Sequence, residues 1–225
     1  SAATLDGVGA GPSAPAQGGL YPHSIQTITP AGAPLTSGGK PQVAYVGADY
    51  CPFCAAERWA LTVALSRFGT FSGLHLIHSS SSDVYPSTPT LSFYKSTYTS
   101  KYLAFHATEA QTVSKAPLQP LTSLDKALMT KYDAPPYVQA GYNGSFPFVD
   151  FANRYVIVGA SYDPALLANL TWSQIAADIA SGSGPDGKAI DATANHITAA
   201  LCKLTNNQPA NVCTSNAVTS ASGSI

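Results

Sequence analysis

The sequence predicts an α/β protein with a mixed central sheet and flanking helices, in the order β-α-β, insertion, β-β-α. Three observations carry this. An apolar run, Gln42-Val43-Ala44-Tyr45-Val46-Gly47, is followed at once by a stretch of helical periodicity. Further on, Phe146-Pro147-Phe148-Val149-Asp150-Phe151 and Tyr155-Val156-Ile157-Val158-Gly159 flank a tight Ala152-Asn153 turn, the pattern of two adjacent antiparallel strands. Two more helical stretches then close the chain.

Taken in order, Ser1 to Gly19 is rich in Ser, Ala, Gly and Pro and reads as a flexible stalk left after trimming of a longer precursor. Ser24 to Thr29 reads as a short strand or extended chain, and Pro30, Pro34, Gly38, Gly39 and Pro41 then break the backbone. The strand at 42–48 leads into a helix at about 52–67, where Ala55, Trp59, Val63 and Phe68 share one face and Gly69 stops it. Gly73-Leu74-His75-Leu76-Ile77-His78 is expected to be the next strand, parallel to the first through a right-handed crossover. Residues 79–145 read as an insertion, with a hairpin of 90–94 and 102–106 and a helix near Ser123–Tyr132. After the strand pair, Thr171 with Gln174 forms a capping box that opens a helix, and Ile190, Ala194, Ile197, Leu201 and Leu204 mark a last one at about 187–205. The expected division is therefore 1–40 as stalk and lead-in, 41–205 as one domain, and 206–225 as a C-terminal tail.

Composition narrows the function. Only 10% of the 225 residues are charged and the net charge is −1, with no basic run, so nucleic acid is not an expected partner. No apolar run reaches the ~18 residues of a membrane span. The chain opens without the charged start and apolar stretch of a signal peptide, and a membrane tether through a trimmed N-terminal segment is compatible with this. There is no Gly-rich phosphate loop and no G-x-S-x-G elbow.

The chemistry resides in Cys51-Pro52-Phe53-Cys54, at the junction of the first strand and its helix. With Cys51 at the N-cap and Pro52 at the first helical position, the sulfur of Cys51 faces free backbone N–H groups, and the helix dipole favours its thiolate. Such a site lowers a thiol pKa from about 8.5 into the range of roughly 3.5–7.5. Cys54 lies one turn deeper on the same face, which makes Cys51 the attacking sulfur and Cys54 the resolving one. Two other readings stay open, half of a zinc site or a static link. The zinc reading lacks a second close pair, because Cys202 and Cys213 are separated by ten residues. Those two are expected to form a disulfide that ties down the tail, which implies an oxidising, extracytoplasmic compartment. His75 and His78 fall on opposite sides of their strand, and no metal or other cofactor is assigned.

Strand, Cys51-Pro52-Phe53-Cys54, helix, and Pro147 heading a later strand pair together resemble a thioredoxin-fold thiol–disulfide oxidoreductase, with a layout similar to DsbA-like proteins. The segment Gly47–Trp59 is also similar to a prokaryotic thioredoxin-like family of unassigned function. The resemblance covers roughly residues 40–205. It implies a cis-proline opposite the cysteines, for which Pro147 is the candidate and Pro89 the rival. It further implies that the backbone of Phe146 pairs with an extended substrate, with Pro52 and Phe53 alongside. The implied partners are a protein or peptide thiol or disulfide and a separate redox protein.

In one respect the chain departs from that pattern. Thioredoxins carry a buried carboxylate in the strand before the active site, and here that position is Tyr45. Asp49 is expected to be exposed, and Glu57 with Arg58 to lie on a solvated face, which favours an oxidase or isomerase over a reductase. The insertion aromatics Tyr85, Phe93, Tyr94, Tyr98, Tyr102 and Phe105 either line a groove near Cys51 or pack the insertion onto the core. The alternative to an enzyme is a binding scaffold whose Cys51–Cys54 pair is permanently bonded.

Overall fold

The computed structural model describes residues 25–223 and 225. The expected stalk and His23 lie outside them. Within them the protein is α/β, with a mixed sheet and helices on both faces. Strands β1 (Gln26–Thr27), β2 (Thr36–Ser37) and β3 (Lys40–Gly47) precede helix α1 (Pro52–Ser66). Strands β4 (Gly69–Ser72), β5 (His75–His78), β6 (Pro89–Ser92), β7 (Thr97–Ser100) and β8 (Ala104–Glu109) follow, then helix α2 (Ser123–Tyr132). After β9 (Phe148–Phe151) and β10 (Tyr155–Val158) come a 3-10 turn at Pro164–Leu167 and helices α3 (Trp172–Ser181), α4 (Pro185–Leu204), α5 (Ala210–Cys213) and α6 (Asn216–Ser222).

The central sheet runs β1-β10-β9-β3-β8, with β2 pairing the start of β3. Only β3 and β8 are parallel; β9, β10 and β1 alternate antiparallel beyond them. Strand alternation sorts the core into two layers. Val43, Tyr45, Val149, Phe151 and Ile157 pack with α1, α3 and α4, while Ala44, Val46, Phe148 and Val156 pack with Leu128 and Tyr132 of α2. The β9–β10 turn places Ala152 and Asn153 at φ 54° and 55°, the two left-handed positions of a tight hairpin. The capping box at Thr171 and Gln174 is present, and its helix ends at left-handed Gly182.

Two expectations about strands are corrected. The parallel partner of β3 is Ala104–Glu109, and not 73–78. Parallel strands in such a sheet are covered on both faces, whereas β5 leaves Leu76 53% exposed and pairs antiparallel with β6. The hairpin expected from 90–94 and 102–106 is likewise absent: β6 pairs with β5, and β7 pairs with β4. The segment 79–145 therefore contains a central strand, and the strands outside the sheet begin at Gly69.

A third correction concerns helix α1, which is buried almost throughout, from Cys54 to Leu65. Trp59 Nε1 donates to Pro89 O at 3.0 Å, and Thr90 Oγ1 donates to Ala55 O at 2.9 Å, so β6 covers the face that carries Ala55 and Trp59. On another side Tyr162 OH donates to Ala56 O at 2.7 Å. Glu57 accepts from Ser161 N at 2.9 Å and Arg58 reaches Glu109 of β8, and both are fully buried. The insertion aromatics mostly pack inward: Phe93 meets Tyr45 edge-on at 5.0 Å and Phe105 at 5.1 Å.

Candidate functional site

Local chain geometry builds the site at the end of β3. Cys51 is the N-cap of α1, with φ −78° and ψ 120°, and Pro52 occupies the first turn, where no N–H is needed. Cys54 N–H donates to Cys51 Sγ at 3.2 Å. Cys51 in turn donates its thiol to Phe146 O at 3.7 Å. The register explains this contact: Val46 pairs with Phe148, so Pro147 and Phe146 continue past the end of β3, toward the cysteines. The Phe146–Pro147 bond is cis, and Thr88–Pro89 is not among the cis bonds, which decides between the two candidate prolines. Phe53 packs edge-on against Tyr85 at 5.7 Å. Ala48, Cys51 and Cys54 form a small apolar cluster with Tyr50, Phe53 and Phe146 against them.

The two thiols sit in unlike environments. Cys51 is 5% exposed and Cys54 fully buried, and both are free thiols. The hydrogen bond from the Cys54 side chain holds the Cys51 pKa below its ordinary value; burial opposes this, and the Cys54 N–H and the charge of Arg58 add to it. Burial pushes Cys54 well up, and its hydrogen bond to Cys51 pushes it further. A pair so divided has one sulfur prepared as a thiolate and one held as a thiol.

Beneath them lies a charged cluster that sequence reasoning missed. Arg58 Nε and Nη2 donate to Glu109 Oε1 and Oε2, both at 2.9 Å, and Nη2 also donates to Ala48 O at 2.7 Å. Asp49 Oδ1 stands 3.6 Å from Nη2. Asp49 is only 8% exposed, a correction to its expected exposure. Glu109 faces Gly47 across the parallel β3–β8 pair, on the side of the sheet that carries Tyr45. Gly47 is required there, because a Cβ would collide with the Tyr45 ring and hydroxyl. β3 itself carries no acid, and a buried carboxylate stands beside its end on β8. One signal was available: residues 51, 54 and 58 share a helical face, which puts Arg58 under the cysteines.

Tyr45 OH and Arg58 Nη1 are buried without a hydrogen-bond partner among the described residues. Burial raises Tyr45 well above its ordinary pKa, so it remains a neutral phenol. Of the remaining candidates, His106 pairs with Asp125 at 2.9 Å on the opposite face, and His78 packs against Trp172 at 4.2 Å. Cys202 and Cys213 form a disulfide with Cα atoms 5.6 Å apart, joining α4 to α5. The expected tail is helical beyond that bond, with Val218 and Ala221 buried. Among the described residues no group of three or more His, Cys, Asp or Glu side chains is gathered to hold a metal ion, and no helix is long and apolar enough to cross a membrane.

A protein-family model matches residues 27–203, more than half of the chain and all of this site. The chain belongs to the DUF929 family, a domain of unknown function. No curated protein and no solved structure matches it. The DUF929 match takes in β1 through most of α4, and so includes Cys51, Cys54, Arg58, Glu109 and Pro147 together. Chemically, this DUF929 site offers a nearly buried sulfur at a helix N-cap with a second, fully buried sulfur behind it, a carbonyl beside it and an ion pair below.

Proposed function

We propose that this chain is an extracytoplasmic thiol–disulfide oxidoreductase with a thioredoxin-like core, acting through Cys51 and Cys54 on protein or peptide thiols. The observation that carries the reading is the asymmetry of the two sulfurs, with Cys51 lowered at a helix N-cap and Cys54 raised behind it. The thioredoxin-like reading is supported by the run β3, α1, β8, α2, β9, β10 and by the cis Phe146–Pro147 bond facing Cys51. The extracytoplasmic reading is supported by the Cys202–Cys213 disulfide, since such bonds persist in oxidising compartments.

In the oxidising direction the Cys51–Cys54 disulfide accepts two electrons. A substrate thiolate attacks the Cys51 sulfur, the bond to Cys54 breaks, and Cys54 leaves as a thiolate that takes up a proton. A second substrate thiolate then attacks the substrate sulfur of the mixed disulfide, and Cys51 leaves as the thiolate its environment favours. The products are a substrate disulfide and a reduced protein. A stabilised Cys51 thiolate favours the reduced protein and hence the oxidase or isomerase direction. Turnover requires a redox partner to restore the disulfide.

Extended substrate would lie along Phe146, whose carbonyl already faces Cys51. The test is a Cys54→Ala variant incubated with a disulfide-containing peptide. It is expected to accumulate a mixed disulfide at Cys51, read by mass, while Cys51→Ala accumulates none. An equal adduct on Cys54 in Cys51→Ala would contradict the assignment.

One observation favours a second reading. Cys51 is only 5% exposed, which suits a binding scaffold with a permanently bonded pair. In that case a strong reductant leaves the pair oxidised, and a partner binds equally well to the Cys51→Ala/Cys54→Ala chain.

A further inference from the structure

An open groove of about 550 Å³ lies between the loop after β5 and the loop after β8, with Asp49 in its wall. Ser80 N donates to Tyr50 O at 2.9 Å and Asp49 N donates to Gln111 O at 2.9 Å, so both walls are fastened to the turn that carries Cys51. Asp49 lines the groove two residues from Cys51, at most about 7 Å between Cα atoms. Ser80, Ser82 and Ser114 supply hydroxyls around it, and Tyr94, Val113 and Leu118 supply apolar surface.

The charges here do not balance. Arg58 is the single cation of the buried cluster and is engaged by both oxygens of Glu109. Asp49 stands 3.6 Å from it, beyond hydrogen-bond reach, and Asp49 Oδ1 has no hydrogen-bond partner among the described residues although the residue is 92% buried (8% exposed). Two carboxylates thus share one guanidinium, and the less well paired of them lines the groove. The two lysines that directly follow the lining residues Ser114 and Tyr94 in the chain are already engaged. Lys115 pairs with Asp83 at 3.2 Å and lies over the Tyr50 ring at 4.8 Å, and Lys95 lies over the Tyr94 ring at 5.0 Å.

We propose that this groove is a substrate subsite that receives a lysine or arginine side chain flanking the reactive cysteine of a polypeptide. An excess carboxylate recognises the cationic head, and the hydroxyls complete its hydrogen bonds. The apolar wall of Tyr94, Val113 and Leu118 covers the methylene stem, which a compact ammonium ion would not need. The proposal rests on the oxidoreductase reading and gives it a sequence preference.

The test uses the full chain with its cysteines reduced and three disulfide peptides that differ only beside the cysteine, carrying Lys, Gln or Glu. In a single turnover the peptide disulfide takes two electrons from Cys51 and Cys54, which become a disulfide, so no further reductant is needed. The Lys peptide is expected to react about fivefold faster than the Gln peptide, the scale of one partly exposed ion pair, with Glu slowest and the spread shrinking in high salt. Asp49→Asn is expected to bring the Lys peptide down to the Gln rate.

Because Asp49 also touches the Arg58 cluster, a second variant is independent of it. Ser82→Lys, on an exposed loop, places a tethered cation in the groove and is expected to erase the preference. Equal rates for Lys and Gln peptides in the native chain, or a preference that survives both variants, would overturn the subsite. Binding of the Lys peptide to a Cys51→Ser chain, followed by fluorescence anisotropy, separates the two ideas. If no peptide is reduced yet Lys binding depends on Asp49, the subsite stands and the redox reading fails; if no binding preference appears, the subsite fails whatever the chemistry.

Discussion

Arg58 and Glu109, 51 positions apart in the chain, meet in a two-pronged ion pair directly under the Cys51–Cys54 turn, with both side chains fully buried. The guanidinium joins three pieces of backbone: its own helix, the carbonyl of Ala48 and the end of β8. Removing one partner strands the other charge in a medium that solvates it poorly. Arg58→Met is therefore expected to cost about 3–5 kcal/mol, and Arg58→Met with Glu109→Leu to recover most of that. Urea unfolding of the two variants checks this. A single-variant loss below about 1 kcal/mol would show the pair to be far more hydrated than its burial implies.

The sulfurs should titrate apart. Cys51, lowered chiefly by its hydrogen bond from Cys54, keeps a thiolate fraction as the pH falls below the ordinary thiol pKa. Iodoacetamide at neutral pH is expected to modify Cys51 alone in the reduced chain, and Cys54 only after unfolding. A pH–rate profile for alkylation with an ordinary thiol midpoint would contradict the environment described.

Stability should fall as the pH rises from about 4 to 7. Burial lifts Glu57 and Asp150 to about 7, against their ordinary values of 4.5 and 3.8, while hydrogen bonds from Ser161 and Asn153 pull each partly back. Between those limits the folded chain holds protons that the unfolded chain has released, so raising the pH favours unfolding until the folded groups have ionised. Asp125 works the other way, lowered by His106 and Thr122 against its burial, and its contribution is lost only as the pH drops through its depressed pKa. Asp150→Asn keeps an oxygen for the Asn153 N–H and is expected to flatten the slope between pH 4 and 7. An unchanged slope in thermal melts across that window would remove Asp150 from the account.

The Cys202–Cys213 bond closes a loop of sequence separation 11 and holds α5 and α6 against α4. Replacing both cysteines by alanine is expected to cost about 3 kcal/mol, read by denaturant unfolding under non-reducing conditions. A loss of only a few tenths would mean that the packing of Val218 and Ala221 suffices without it.

Much of the sheet was legible because its signals are local. The β9–β10 hairpin follows from alternation and a two-residue turn, and α1 from a proline after a capping side chain. What could not be read is which of several short apolar runs enters the central sheet. His75–His78 and Ala104–Glu109 look alike along the chain, and only tertiary packing selects the second as the partner of β3. Choosing the wrong strand also hid Glu109. With β8 unplaced, Asp49 and Glu57 were the only acids in view near the cysteines, and Arg58 had no buried partner. The cysteines and Pro147 were legible from a short motif; the cluster that sets their charge depends on contacts between distant segments.

The reduction potential of Cys51–Cys54 tests the central claim most directly, measured in glutathione buffers with alkylation and mass as the readout. The account predicts a reversible exchange in the range of about −120 to −180 mV, where a donor of disulfides or an isomerase operates. A pair that stays bonded throughout those buffers, or that cannot be oxidised in them at all, would contradict it.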